Sequence, residues 1–349
     1  MRIMPSIISL IVLLIAGCSL EQTKPRDPSA EIHNLPHLDP NALGIRIKKS
    51  IDYNELLVSS PHTEIRLSEP TRVGYNKFFF DFDGQKIVVP GTMSNGRRYD
   101  IWLDTGCAEP MLVNTPILLE NDLPVYPLFT DPCTGIASGI SHVSSLAIGD
   151  AVILNAPCVY LQMQWQFRLL TIPLMQQKLV LLGVPVISKF DYVLFDNIKK
   201  QVEFSPSGPY KPADDSRWSK YPMRVTEGRI TVELPVQNQT LFLYFDTCAR
   251  DAMWLREDTW KKLEPRLGPV TFQKGVLTSL YPSRVHCRKA ELKEVNVANV
   301  SIKNTEILIL DRDNIVFPDD TIGMTFFKNT VVVLDFNQNF MWIKNNESD

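Results

Sequence analysis

The sequence predicts an all-β protein built from two similar lobes. Short apolar runs are separated by Asp83-Gly84 and by Asn95-Gly96, dipeptides that strongly indicate tight hairpin turns. These turns predict a meander whose third strand ends at Asp104. A similar layout of apolar runs and turns recurs later and ends at Asp246. A chain of 349 residues is long enough for two domains, each with its own core.

The repeat extends beyond the two meanders. Three pairs of residues recur at spacings of 142, 140 and 139 positions, in this order: Asp104 and Asp246, Gly183 and Gly323, Asp196 and Asp335. We therefore predict an N-terminal lobe over 75–208 and a C-terminal lobe over 220–345. A turn-rich connector, 205–217, lies between them. We interpret Asp196 and Asp335 as turn acids, because each follows an apolar run and precedes a turn containing asparagine.

The N-terminus has the layout of an export signal. Arg2 precedes an apolar stretch, 7–15, which is followed by small residues and Cys18. The apolar stretch is too short for a comfortable membrane span. Residues 15–18 resemble a bacterial lipobox, in which the cysteine receives lipid and becomes the first mature residue. An uncleaved anchor, or an ordinary signal with an incidental cysteine, is the alternative.

This resemblance implies a lipoprotein. We expect a signal peptide over 1–18 and lipid on Cys18, so that the chain is exported and held in a bacterial cell envelope, at the outer membrane or the periplasmic face. Residues 19–74 are predicted to form a tether rich in proline and polar residues as far as 42, followed by candidate edge strands. Whether this segment is a pro-piece is left open.

Charge and motif content exclude several function classes. Lys and Arg number 36 against 39 Asp and Glu, a balance that does not indicate a nucleic-acid partner. The cysteines lack C-x-x-C spacing, so no zinc ribbon or redox motif is predicted. No phosphate-binding glycine loop and no Gly-x-Ser-x-Gly elbow is present. We therefore expect no cofactor and no metal.

The two strand-end motifs carry a family resemblance. Leu103-Asp104-Thr105-Gly106 and Phe245-Asp246-Thr247, each with its downstream glycine element, resemble the pepsin and retropepsin-like aspartic proteases. The resemblance spans both lobes. It implies two homologous β-barrel lobes with a cleft between them and a catalytic pair of Asp104 and Asp246. Such a pair shares one proton, because two like charges at short range cannot both ionise.

The resemblance also implies supporting roles. Thr105 and Thr247 would interlock the two loops, and Gly183 and Gly323 would pack behind them. A β-hairpin flap is expected over 133–142, where the candidate flap residues are Thr134, Gly135, Ser138 and Gly139. A peptide or protein substrate would bind extended in the cleft of a monomeric enzyme.

The second motif departs from the family pattern. Cys248 stands where the family has glycine, and it would be strained if the backbone there needed a positive φ. We expect a disulfide between Cys248 and Cys287, and another within the N-terminal lobe among its cysteines Cys107, Cys133 and Cys158. Two functions remain open: an envelope-anchored aspartic endopeptidase, or a catalytically silent relative that binds peptides or acts as a scaffold.

Overall fold

The computed structural model describes most of the chain after residue 17. The described parts are residues 18–23, 32, 34–49, 56–75, 86–130, 136–169, 172–249, 251–278, 284–311 and 319–344. Residues 1–17 of the predicted signal peptide (1–18) lie outside them. The first strands are β1 (Cys18–Thr23), β2 (Arg46–Lys49), β3 (Leu56–Ser59), β4 (Glu64–Arg66) and β5 (Thr71–Gly74).

The N-terminal lobe follows from the alternation of apolar and polar residues between turns. Its strands are β6 (Val88–Met93), β7 (Arg98–Asp104), β8 (Met111–Asn114), β9 (Val125–Thr130), β10 (Ala137–Ile148), β11 (Ala151–Leu161), β12 (Gln164–Leu169), β13 (Ile172–Gln177), β14 (Val180–Gly183), β15 (Tyr192–Asp196) and β16 (Gln201–Ser205). Its short helices are α1 (Thr115–Glu120) and α2 (Val184–Ile187). Asn95-Gly96 forms the predicted turn between β6 and β7, with Gly96 at φ 78°.

The C-terminal lobe repeats this order. Its strands are β17 (Trp218–Thr226), β18 (Arg229–Val236), β19 (Gln239–Asp246), β20 (Met253–Arg256), β21 (Thr271–Thr278), β22 (Arg284–Val297), β23 (Val300–Leu310), β24 (Thr321–Gly323), β25 (Val331–Asp335) and β26 (Phe340–Lys344). Helix α3 spans Glu257–Leu263, and 3-10 turns lie at Asp215–Arg217, Glu264–Arg266 and Met324–Phe327. Within the described ranges, no helix is both long and apolar enough to span a membrane.

Pairing of strands makes the two lobes equivalent. In the N-terminal lobe, β14 lies between β7, to which it is parallel, and β8, to which it is antiparallel. In the C-terminal lobe, β24 lies between β19 and β20 in the same two orientations. The long hairpin β10–β11 in one lobe likewise corresponds to β22–β23 in the other. The repeat read from the sequence is therefore a repeat of topology.

The two lobes share one sheet. Six consecutive antiparallel strands run in the order β5-β16-β15-β25-β26-β17, so that β15 of the first lobe pairs with β25 of the second. Asp335 ends β25 with no exposed surface, and its carboxylate accepts the backbone N–H groups of Tyr210 (3.1 Å) and Gln338 (3.0 Å). Asp196 likewise accepts two backbone N–H groups of the turn after β15. Both acids thus support turns.

The fold-class prediction is confirmed in its architecture: the chain is an all-β protein with two β-barrel lobes that repeat one topology. The tether prediction is wrong for residues 34–42, because this segment packs on the first lobe. Leu38 is buried, and its N–H donates to the carbonyl of Val125 in β9. The expected edge strands are present as β4, at the edge of the first lobe's sheet, and β5, at the edge of the shared sheet.

Candidate active site

Two buried strands deliver the two aspartates to one place. Asp104 ends β7 and Asp246 ends β19, each after residues with no exposed surface, such as Leu103 and Phe245. Burying such side chains is worth about 2–3 kcal/mol each, which fixes the strand ends against the core. Each aspartate is partly buried. Gly106, two residues after Asp104, lies directly against the Asp246 carboxyl, so the two strand ends meet where the lobes join.

The glycine elements pair with the aspartates. Gly183 is the parallel partner of Asp104, and Gly323 is the parallel partner of Asp246. A Cβ at Gly183 would lie 2.0 Å from the carbonyl oxygen of Glu109, and one at Gly323 would lie 2.6 Å from that of Asp251. Neither glycine has a positive φ. Glycine is therefore needed at both positions to let a loop cross closely over a strand.

The two threonines interlock the loops. The Thr105 N–H donates to Thr247 Oγ1 and the Thr247 N–H donates to Thr105 Oγ1, both at 2.9 Å. Each hydroxyl then donates across the interface, Thr105 to the Phe245 carbonyl (2.8 Å) and Thr247 to the Leu103 carbonyl (2.6 Å). Neither threonine has exposed surface. This arrangement, with the same bonds made from each side, holds the aspartates at a fixed separation.

Backbone N–H groups orient the carboxylates in the same symmetric way. Asp104 Oδ1 accepts the N–H of Gly106 at 2.8 Å, and Asp246 Oδ1 accepts the N–H of Cys248 at 2.7 Å. Gly106 has a further role, because a Cβ there would lie 2.6 Å from the Asp246 Cγ atom. Any side chain at that position would displace the Asp246 carboxylate. The Asp104-Thr105-Gly106 motif therefore requires glycine at its third position, because no Cβ atom fits there.

Burial dominates the electrostatics of the pair. Desolvation and the neighbouring Asp246 charge raise the pKa of Asp104 well above its ordinary value. Desolvation also raises the pKa of Asp246, to about 6, against the lowering effect of its hydrogen bonds from the Cys248 and Ala249 backbone. Each carboxyl therefore resists ionisation, and the two share protons as one coupled pair.

Two cations flank the aspartates, and the sequence reading did not identify them. The Lys86 Nζ atom lies 4.0 Å from the ring centre of Trp102, and the Arg229 guanidinium lies 5.1 Å from that of Tyr244. Each aromatic residue precedes an aspartate by two positions. Strand register also makes Lys86 and Arg229 equivalent, since Val88 pairs with Trp102 and Thr231 with Tyr244. Their spacing of 143 positions matches the repeat and could have indicated them.

The cations differ in their other partners. Arg229 is largely buried and forms an ion pair with Asp319 at 3.0 Å. The positive charge of Lys86 lowers the pKa of Asp104, and that of Arg229 lowers the pKa of Asp246, each as a smaller effect than burial. Each lobe thus provides one cation to its own aspartate.

The disulfide predictions are wrong. Cys248 and Cys287 are free thiols, as are Cys107 and Cys158 of the first lobe; Cys133 lies outside the described residues. The Cys248 Sγ atom lies beside the dyad, 3.6 Å from the Leu103 carbonyl oxygen. That of Cys287 lies instead against Gly275, within the β21–β22 hairpin. The expected strain is also absent, because Cys248 does not have a positive φ.

The flap candidates fall in two groups. Thr134 and Gly135 lie outside the described residues. Ser138 and Gly139 lie in β10, which pairs with β9 on one side and β11 on the other. A Cβ at Gly139 would lie 2.3 Å from the Tyr126 carbonyl oxygen. These two residues therefore lie in the stem of the β9–β10 hairpin, and the assignment of 133–142 as a flap stays a prediction.

Comparison with known proteins adds a distant structural likeness. No protein-family model and no curated protein matches the chain. Among solved structures, the chain is similar to basic 7S globulin from soybean, with 10% sequence identity and a TM-score of 0.43, over 80% of this chain and 95% of the globulin. A likeness at this level says nothing about activity.

In the described parts of the chain, no group of His, Cys, Asp and Glu side chains is arranged to hold a metal ion.

Proposed function

We propose that this chain is an aspartic endopeptidase that hydrolyses peptide bonds with Asp104 and Asp246 as its acid–base pair. The observation that supports the proposal most is the symmetric set of bonds around the two carboxyls. Each carboxyl accepts a backbone N–H two residues ahead, and reciprocal hydrogen bonds between Thr105 and Thr247 join the two loops. An arrangement of this rigidity is expected where two acids must act on one water molecule.

The chemistry follows from the shared proton. With one carboxyl ionised and the other protonated, the ionised one removes a proton from a water molecule bound between them. The protonated one donates a hydrogen bond to the carbonyl oxygen of the scissile peptide bond. Attack by the water gives a tetrahedral diol, and proton transfer to the amide nitrogen then breaks the C–N bond. The reaction requires a group that keeps its proton near neutral pH, and the raised pKa values of both aspartates supply it.

Mutation of the pair tests the proposal. The full-length chain, purified in detergent, is assayed with unfolded protein as substrate between pH 4 and 7. Asp104→Asn and Asp246→Asn should each lose at least about 10³-fold in kcat/KM, and the double variant should be little worse, because the two residues act as a unit. Asp196→Asn, at a turn remote from the pair, serves as the matched control. Cleavage that persists in Asp246→Asn would contradict the proposal.

A second function is supported by one observation. Cys248 replaces a glycine at a position whose equivalent in the first lobe tolerates no side chain. If the thiol blocks the water, the same cleft would bind an extended peptide without cleaving it. A folded wild-type protein that binds unfolded peptides and never cleaves them would favour this peptide-binding or scaffold function.

We propose further that the protein works in a bacterial cell envelope, attached by lipid on Cys18. The support is the lipobox-like sequence at 15–18 that follows a short apolar stretch. A membrane-attached monomer would meet unfolded or extended segments of exported proteins as its substrates.

A further inference from the structure

A small third sheet lies apart from the sheets of the two lobes. Its strand order is β1-β12-β13, and among the described residues none of these strands pairs with a strand of another sheet. The hairpin β12–β13 interrupts the repeat, because 18 residues (162–179) separate β11 from β14 and only 10 residues (311–320) separate β23 from β24. The connection in the second lobe is therefore too short to hold two strands of six residues each.

Strand register gives this sheet an apolar face and a polar face. Successive residues of a strand alternate between the faces of a sheet, and directly paired residues share a face. Leu169 pairs with Cys18 on one side and with Ile172 on the other. The face that contains Cys18 also contains Leu20, Trp165, Phe167, Leu169, Ile172 and Met175. The opposite face contains Ser19, Glu21, Thr23, Gln164, Gln166 and Arg168.

The polar exceptions on the apolar face lie at one end of it. Gln22 and Gln177 both pair with Trp165, in the row of the apolar face that is farthest from Cys18. The rows nearer to Cys18 contain apolar residues in all three strands, apart from the cysteine itself. The apolar character is therefore concentrated at the end of the sheet where β1 begins.

The predicted membrane anchor reaches the fold at this same end. Cys18, the residue proposed above to carry lipid, begins β1 and pairs with Leu169, the last residue of β12. Paired residues of antiparallel strands have Cα atoms about 4.5–5.5 Å apart. The apolar stretch 7–15 ends three positions before Cys18, a span of at most about 11 Å. Lipid on Cys18 and an uncleaved apolar stretch would therefore both hold this end of the sheet at the membrane.

The hairpin is joined closely to the first lobe. Two residues, 162–163, connect β11 to β12, and two residues, 178–179, connect β13 to β14. Met163 and Leu179 in these connections are buried in one apolar cluster with Trp102. The position of the sheet at a membrane would therefore also constrain the orientation of the first lobe.

We propose that the apolar face of the β1-β12-β13 sheet lies on the lipid surface and fixes how the protein is oriented on the membrane. The inference rests on the proposed attachment at Cys18. Tryptophan, phenylalanine and leucine are the residues that amphipathic segments bury at the boundary between headgroups and acyl chains. A single acyl chain gives only marginal attachment, and a second apolar contact beside it strengthens the binding. The lipid and the apolar face would act together, because register places them side by side.

Quenching by brominated lipid tests which part of the protein meets the membrane. The full-length protein, purified in detergent, is placed in phosphatidylcholine vesicles whose acyl chains carry bromine, which quenches tryptophan on contact. Trp165 is one of six tryptophans, so its contact with lipid should lower the emission by about one sixth relative to vesicles without bromine. Trp165→Phe should abolish this loss. Trp218→Phe, which removes a tryptophan from the sheet shared by the lobes, should retain it.

Two neighbouring positions on opposite faces provide a matched pair of variants. Phe167→Asp places a charge on the apolar face and should remove most of the quenching, because a charged side chain is costly in lipid. Gln166→Asp places the same charge on the polar face and should leave the quenching unchanged. Quenching that persists in Trp165→Phe, or that is equal in the two aspartate variants, would overturn the inference. Absent quenching in a wild type that is dimeric in detergent would overturn it in favour of a second copy on this face.

The mass of the same protein tests the attachment separately. A protein without lipid whose Trp165 is quenched would refute lipid on Cys18 and support the inference, since the apolar stretch would then hold the sheet at the membrane. A lipidated protein without quenching would overturn the inference and leave the attachment at Cys18 intact. Neither result depends on whether the chain cleaves peptides.

Discussion

The hydrogen bonds between Thr105 and Thr247 allow a quantitative prediction about the stability of the protein. In Thr247→Val the side chain keeps its shape but loses the hydroxyl that bonds both Leu103 and Thr105. Because Thr247 has no exposed surface, water cannot replace the lost partners. A buried donor or acceptor left unsatisfied costs about 1–3 kcal/mol, and two groups are affected, so the free energy of unfolding should fall by about 2–6 kcal/mol.

Urea unfolding of the full-length chain, followed by tryptophan fluorescence, measures this loss. Thr247→Ser is the control, since it keeps the hydroxyl and removes one methyl group, with an expected cost of about 1 kcal/mol. Combining Thr247→Val with Thr105→Val should cost less than the sum of the single changes, because each hydroxyl accepts the other residue's N–H. A Thr247→Val protein as stable as Thr247→Ser would refute the reasoning, since the hydroxyl would then contribute nothing.

Two further predictions concern acid behaviour and membrane attachment. The folded pKa of Asp246 lies at about 6, above its unfolded value, so the stability that its proton provides is complete below pH 4 and is lost as the pH rises through 6. Asp246→Asn should therefore gain up to about 3 kcal/mol over wild type between pH 4 and 7, and equal unfolding curves at both pH values would contradict this. Cys18→Ala should release the protein from the membrane fraction of cells and lower its mass by a lipid group; unchanged mass and retention would exclude lipid on Cys18.

The repeat predicts much of the site because it depends on backbone pairing. A strand that ends in Asp-Thr and a later apolar-apolar-Gly element occupy fixed positions in a parallel pair, which brings Gly183 beside Asp104 and Gly323 beside Asp246. Such pairing follows from apolar periodicity and turns, and both are visible in a sequence. The positions of these residues were therefore accessible without a structure.

Other features depend on where side chains meet between strands that are distant in sequence. Spacing did not reveal that the Cys248 thiol lies against the Leu103 carbonyl oxygen while that of Cys287 lies within a hairpin, so the predicted disulfide is wrong. Lys86, two residues before β6, and Arg229, at the start of β18, look like ordinary surface positions in the sequence. Only strand register brings them over the rings beside the aspartates. The polar composition of 19–42 likewise concealed the few apolar residues, such as Leu38, that fix part of it to the first lobe.

The sheet shared by the two lobes has a consequence for how the protein folds and how its parts can be separated. Expressing either lobe alone would leave β15 and β25 without each other, exposing unpaired backbone groups along five residues of each strand. Open strand edges of this kind pair readily with other chains. Neither lobe is therefore a self-sufficient unit, although each repeats the other, and the chain should unfold in one cooperative step.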